Sequence, residues 1–168
     1  MNLYLLRHAI AVEPGTPGYT DDASRPLTQK GSAKMHSIAR GMKKIDLEFD
    51  LVISSPYLRA RQTAEIVMDV FGIKGKPHIS ETLVPDTNGA PIVTEIRENH
   101  AGKQNILLVS HEPLLSTLIS VLISGDSSLD ITMKKGGLCC LNTDDLRYTR
   151  CATLEFLLYP YQLAELGS

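Results

Sequence analysis

Apolar and polar positions fall in blocks along this chain, and the blocks read as strands followed by helices. Leu3-Tyr4-Leu5-Leu6 is a short apolar run closed by Arg7, which predicts a buried first strand over Asn2 to Arg7. A long polar connection follows from Ala9 to Pro26, with Pro14, Gly15, Pro17 and Gly18 inside it. A loop of that length in a small domain is usually functional. Thr28 is placed to cap a helix reaching about Lys44, which Gly31 and Gly41 weaken. Asp50 to Ser54 predicts a second buried strand. Ser55 then offers a capping hydroxyl and Pro56 a first helical residue, with the helix running to about Phe71 and stopping at Gly72.

The second half repeats the alternation. Pro77 to Ser80 reads as a short strand, Leu83 to Pro91 as an irregular segment and Ile92 to Ala101 as a helix. Asn105 to Ser110 is almost continuously apolar, as expected of a strand covered on both faces. Glu112-Pro113 opens another helix, to about Ser124. Gly137 to Asn142 and Cys151 to Leu158 read as closing strands, with Asp144-Asp145 in the turn between them. The tail from Pro160 to Ser168 gives little. Strands alternating with helices predict an α/β fold, a three-layer α/β/α sandwich with a mainly parallel central sheet. The 168 residues suffice for one domain, 1–168, with a full core.

Composition narrows the partners. Seventeen basic and 19 acidic side chains leave a net charge of −2, so no global field draws nucleic acid or anionic lipid. An anion site must be local. No apolar run approaches the ~18 residues of a membrane span, and no signal peptide is visible at the N-terminus. Cys139, Cys140 and Cys151 are odd in number and lie in strand-like surroundings, which predicts buried reduced thiols and a cytoplasmic protein. Adjacent Cys139 and Cys140 would face opposite sides of a strand, so they are not a metal pair.

Candidate chemistry gathers at three strand ends. Leu6-Arg7-His8 ends the first predicted strand. Ser54-Ser55-Pro56-Tyr57-Leu58-Arg59-Ala60-Arg61-Gln62-Thr63-Ala64 leaves the second, and Val109-Ser110-His111-Glu112-Pro113 leaves the fourth. In a parallel sheet these ends share one edge, where ligands bind in open α/β folds. Arg7, His8, Arg59 and His111 would meet there. Two guanidiniums and two imidazoles suit a tetrahedral dianion, because Arg grips phosphate oxygens with paired donors and helix N-termini add N–H groups. No glycine-flanked elbow surrounds Ser110, which argues against a serine hydrolase.

With these three segments in this order, the chain resembles the histidine phosphatase superfamily, which includes the cofactor-dependent phosphoglycerate mutases. Within it the chain is most similar to SixA-type phosphohistidine phosphatases, through Asp22-Ala23-Ser24-Arg25-Pro26-Leu27-Thr28, Gly31 and Leu83-x-Pro85. The resemblance covers roughly Asn2 to Leu158. It implies a phosphoglycerate mutase-like fold and a phosphatase in which His8 is the nucleophile and forms a phosphohistidyl intermediate. Arg7 and Arg59 would hold equatorial oxygens, His111 would complete the pocket, and Arg25 would reach its rim. Mutase-type insertions are missing, which suggests an open site suited to phosphohistidine on a protein such as a histidine-phosphotransfer domain.

The general acid is not fixed by any motif. Glu81 and Asp86 lie in the region where mutases carry theirs, and Glu112 beside His111 is a third candidate. A phosphoramidate leaving group needs less acid assistance than an alkoxide, which favours phosphohistidine over phosphoserine. Arg61 reads as solvated. His36, His78 and His100 have no metal-ligand spacing, so neither a metal nor an organic cofactor is expected. The expected partner is a phosphohistidine protein rather than nucleic acid or membrane, and the expected state a monomer or weak dimer. Two alternatives stay open: a small-molecule phosphatase or mutase, and a phosphate-binding module without turnover.

Overall fold

The computed structural model describes Met1 to Ser168. Its elements are β1 (Asn2–Arg7), α1 (Gln29–Lys44), β2 (Leu51–Ser54), α2 (Leu58–Phe71), β3 (His78–Ile79), α3 (Ala90–Asn99), β4 (Asn105–Ser110), α4 (Leu114–Ser124), β5 (Leu138–Asn142), β6 (Thr153–Leu158) and α5 (Pro160–Leu166). The strands form one six-stranded sheet in the order β3-β2-β4-β1-β5-β6. β3, β2, β4 and β1 are parallel, while β5 and β6 join antiparallel.

Period-two alternation divides the strand side chains between two apolar clusters. Leu3, Leu5, Ile106 and Leu108 face α3 and α4, meeting Ile92, Ile96, Leu115 and Leu118. Tyr4, Leu6, Leu107 and Val109 face the other way, onto Met35, Ile38, Val67 and Leu163 of α1, α2 and α5. The three-layer α/β/α expectation therefore holds. Cys139 lies in the first cluster and Cys140 in the second, as alternation requires. Burial pushes their thiols up to about 12 and about 11, so both stay protonated.

Several boundaries depart from the sequence reading for local reasons. Thr28 does cap α1, its Oγ1 accepting from Gly31 N at 2.9 Å. Gly31 and Gly41 are not mere weak points of that helix. A Cβ on either would sit 1.9 Å from a carbonyl oxygen, that of Ile10 or of Leu163, so each glycine lets another backbone lie against α1. The expected cap at Ser55-Pro56 is not formed: α2 starts at Leu58, and Tyr57 precedes it with no side-chain cap. The Ser55 hydroxyl is used elsewhere. α3 begins two residues before the predicted Ile92. α5 was not foreseen. Pro160 opens it, and the Gln162 side chain accepts from Tyr159 N at 2.7 Å.

What positions the site is register. Leu6 and Ser54 both lie opposite Val109, and Arg7 lies opposite Ser110. The C-terminal ends of β1, β2 and β4 are thus level on one edge. Backbone pairing continues one step past them: His8 N donates to Ser110 O at 3.0 Å and Ser55 N to Val109 O at 3.0 Å.

Candidate active site

His8 leaves β1 still anchored by the sheet, and its side chain is oriented by its own chain. Nδ1 lies 2.8 Å from the Ala9 carbonyl oxygen, which can only accept, so Nδ1 carries the proton. The lone pair is then on Nε2, where Arg59 Nε donates at 3.3 Å. Burial holds the His8 pKa down to about 3; the Ala9 carbonyl opposes this, and Arg59 and Arg7 add to it. The imidazole is therefore neutral at ordinary pH, with one tautomer selected. That is the form a nucleophilic histidine needs.

The segment carrying Arg59 explains its own residues. Thr63, one turn on, donates to the Arg59 carbonyl at 2.7 Å and accepts from Ala9 N at 3.1 Å. Gln62 accepts from Leu27 N at 2.8 Å, tying the end of the long loop to α2. Ala60 and Ala64 are fully buried against the sheet. Arg61 faces solvent, as read from the sequence. The polar residues of this motif fasten β1 and the loop to the helix that aims Arg59.

Asp22 is the residue sequence reasoning passed over. Arg59 donates to it twice, to the backbone oxygen at 2.7 Å and to Oδ2 at 2.9 Å. Arg25 takes Oδ1, with Nε at 2.7 Å and a second nitrogen at 2.6 Å, and also donates to the Val12 carbonyl. Burial works against the Asp22 carboxylate, but hydrogen bonds from Arg25 and Arg59 outweigh it and lower its pKa. Asp22 is a standing counter-ion for both guanidiniums. The signal was the Asp22-x-x-Arg25 spacing in a one-turn 3-10 segment, Asp22–Ser24.

His111 closes the opposite side. Its ring centroid lies 5.0 Å from that of His8 and 5.1 Å from Tyr57, whose ring also carries the Arg59 guanidinium at 4.9 Å. Its Nε2 meets Ser55 Oγ at 2.8 Å, while the same oxygen accepts from Tyr57 N at 3.3 Å, before α2 begins. Its Nδ1 is buried and unpartnered. Burial lowers the His111 pKa to about 2, with His8 and Arg59 contributing. Arg7 donates to the Met133 carbonyl at 2.7 Å, while its Nε is buried without a partner. Burial also lowers the Arg7 and Arg59 pKa values, against the pull of Glu112 and Asp22 respectively.

These groups surround a cavity of about 330 Å³ lined by Arg7, His8, Arg25, Arg59, His111, Asp22, Glu13, Pro14, Pro85, Glu112 and Lys135. All four strand-end residues and Arg25 are in it. Of the three acid candidates only Glu112 lines it; Glu81 and Asp86 do not. Glu81 is exposed at the start of a one-turn segment, and Glu112 Oε1 accepts from Ser116 N at 3.1 Å in the first turn of α4. Ser110 is not free for chemistry, since its hydroxyl donates to the Leu83 carbonyl at 2.8 Å. The reading of His78 and His100 as unrelated needs correction, because the fold brings them together with Glu95. No helix is long and apolar enough to cross a membrane.

A neutral, tautomer-fixed imidazole among three guanidiniums on an α/β/α sheet edge defines a phosphate-handling enzyme of the histidine phosphatase class. The family model described as "Histidine phosphatase superfamily (branch 1)" matches residues 3–84. An uncharacterised protein of Picosynechococcus sp. is 32% identical over 148 residues, 88% of this chain and 88% of its own. The phosphohistidine phosphatase SixA of Escherichia coli is 27% identical over 128 residues, 76% of this chain and 77% of its own. A solved structure of SixA with tungstate superposes with a TM-score of 0.81 at 24% identity, covering 97% of this chain and 99% of that one. An α-ribazole-5′-phosphate phosphatase fold from E. coli gives 0.70 at 22% identity, covering 95% and 97%. A phosphoserine phosphatase of Entamoeba histolytica gives 0.72 at 16% identity, covering 96% and 98%. The chain belongs to the histidine phosphatase superfamily and is a phosphatase.

Proposed function

We propose that the protein hydrolyses phosphohistidine on a protein substrate, through a covalent phosphohistidyl intermediate on His8. The observation that carries the reading is the Nδ1 to Ala9 hydrogen bond, which leaves a neutral His8 with its lone pair on Nε2. Nε2 attacks phosphorus in line, and the P–N bond to the substrate imidazole breaks as the P–N bond to His8 forms. Arg59 exchanges Asp22 for equatorial oxygens, and Arg7 and Arg25 take others, where transition-state charge resides. The dianion raises the pKa of His111, which takes a proton and donates to the phosphoryl group. Water then attacks the phosphohistidine, returning His8 and releasing phosphate.

The choice of substrate rests on the acid. Two glutamates line the cavity: Glu112, whose Oε1 is engaged by Ser116 N, and Glu13, which is exposed and pairs with Lys135 at 3.4 Å. Asp22 is there too, but its two arginines lower its pKa and make it a poor proton donor. An imidazole leaving group that already carries a proton tolerates this, whereas a serine alkoxide does not. The relatives named SixA support the same choice. The second reading, a small-molecule phosphomonoesterase, is favoured by a lining that, apart from Pro14 and Pro85, consists of charged and imidazole side chains, and by the Glu112 carboxylate within it.

The test is phosphate release from a phosphorylated histidine-phosphotransfer domain, by this protein and by His8→Ala, with a phosphoserine peptide in parallel. Release that requires His8 and prefers the phosphohistidine protein is expected. Faster release from the peptide, or from small phosphomonoesters, would overturn the substrate assignment. Binding without release from any substrate would point to a phosphate-binding module.

A further inference from the structure

We propose that His78, Glu95 and His100 form a binding site for a divalent transition-metal ion of the zinc class. None of the three lines the phosphate cavity. They come from the edge strand β3, from the last turns of α3 and from the residue that ends α3. One potential ligand atom from each lies within 4.8 Å of the other two.

The geometry fits an ion rather than a chance cluster. Zinc sits ~2.0–2.2 Å from imidazole nitrogen and carboxylate oxygen, so two ligand atoms on a tetrahedral ion are about 3.3 Å apart. His78 Nε2 and Glu95 Oε1 are 3.2 Å apart. The His78 and His100 rings meet edge to face with centroids 5.2 Å apart, and a nitrogen of each lies within 4.8 Å of the other and of a Glu95 oxygen. A simple His78–Glu95 ion pair would explain one of these contacts only. It would leave His100 Nε2 shielded from solvent with no hydrogen-bond partner, as it is here.

The outer contacts are those of a prepared ligand. Glu95 Oε2 accepts from Ser80 Oγ at 2.5 Å and from Thr82 Oγ1 at 3.1 Å, which fixes the carboxylate and turns Oε1 toward His78. Orientation of a ligating carboxylate by such partners is typical of metal sites. Two imidazoles and one carboxylate favour zinc-like ions over magnesium or calcium, which prefer oxygen alone. Three protein ligands leave a fourth position, and the His78 side chain is 47% exposed, so that position faces water.

The spacing hides this site from a helical reading. Glu95 and His100 are five apart, which on a continuous helix separates them by well over a quarter turn. His100 is outside the helix, with φ −134°, and the turn of the chain returns its ring toward Glu95.

The test is calorimetric titration of the untagged full-length protein with Zn²⁺, repeated with Co²⁺ read by visible absorption. One equivalent is expected to bind, and His78→Ala, Glu95→Gln and His100→Ala should each weaken it at least about tenfold. His8→Ala and His36→Ala should bind as the parent does. The exposed His78 makes the first variant safe for folding, and circular dichroism checks all of them. Absence of saturable binding would overturn the proposal. So would binding that survives in the His78→Ala/His100→Ala double variant, or binding lost in His8→Ala, which would place the ion on the His8–His111 pair.

Discussion

The floor and the wall of the phosphate cavity are built by different means. The floor is His8 and His111, one residue past β1 and β4, together with Arg59 in the first turn of α2, and all three are buried. Each is oriented by a neighbour: Ala9, just past β1, for His8; Ser55, just past β2, for His111; and Thr63, within α2, for the turn bearing Arg59. The wall is the loop from Ala9 to Pro26, held by one isolated bridge from Ala11 to Leu27 and by ion pairs of Asp22. Precise chemistry sits on the rigid part, and the adjustable counter-ion sits on the loop. A phosphatase needs both, because attack tolerates little misplacement while phosphate must enter and leave.

The largest effect should come from the floor. His8→Ala is expected to remove turnover by ~10⁴-fold or more, as loss of a covalent nucleophile does elsewhere, measured as phosphate release with folding checked by circular dichroism. A variant that keeps a tenth of the activity would break the contrast between the two regions. Next comes Arg59→Ala, expected to cost on the order of 100-fold in kcat. Arg59→Lys should rescue little, since a point charge cannot replace the guanidinium fork.

The floor should also show in its titration. The usual histidine pKa is 6.5, while burial places His8 near 3 and His111 near 2. Neither ring should titrate between pH 5 and 8 in nuclear magnetic resonance spectra of the free protein. Inorganic phosphate should bring His111 into that range. Below pH 6.5 the unfolded chain gains protons that these two buried rings refuse, so stability falls as pH drops toward 3. The fall in Tm with acid should be shallower in His111→Ala than in the parent, measured by thermal melts at matched salt.

The wall should respond least. Asp22→Asn removes a half-exposed partner of Arg25 and Arg59, a class of ion pair typically worth ~0.2–1 kcal/mol. Inorganic phosphate should then bind about two- to fivefold more tightly, measured by competitive inhibition. A loss of phosphate binding in that variant would show that Asp22 positions the arginines rather than competing for them.

The two regions were unequally legible in the sequence. Arg7, His8, Arg59 and His111 could be placed because apolar runs announce parallel strands, and residues just after such runs must share an edge. Asp22 could not, because a polar loop has no period to say which carboxylate turns inward. Ser55 was read as a helix cap because only the register of β2 against β4 shows that His111 reaches its hydroxyl. α5 went unread since its docking depends on Gly41, where the absence of a side chain admits the Leu163 backbone. The His78–Glu95–His100 cluster joins two elements whose approach no local pattern encodes.

Asp22 also bears on what happens after the chemistry. A pocket of arginines would ordinarily hold free phosphate well and slow the next cycle. Here the protein carries its own anion on a loop beside that pocket, linked to both guanidiniums. Under the proposed reaction, each departing phosphate would be replaced by a tethered carboxylate that needs no diffusion to arrive. The expected kinetic signature is weak product inhibition: a catalyst that clears its own site and keeps working where phosphate is abundant.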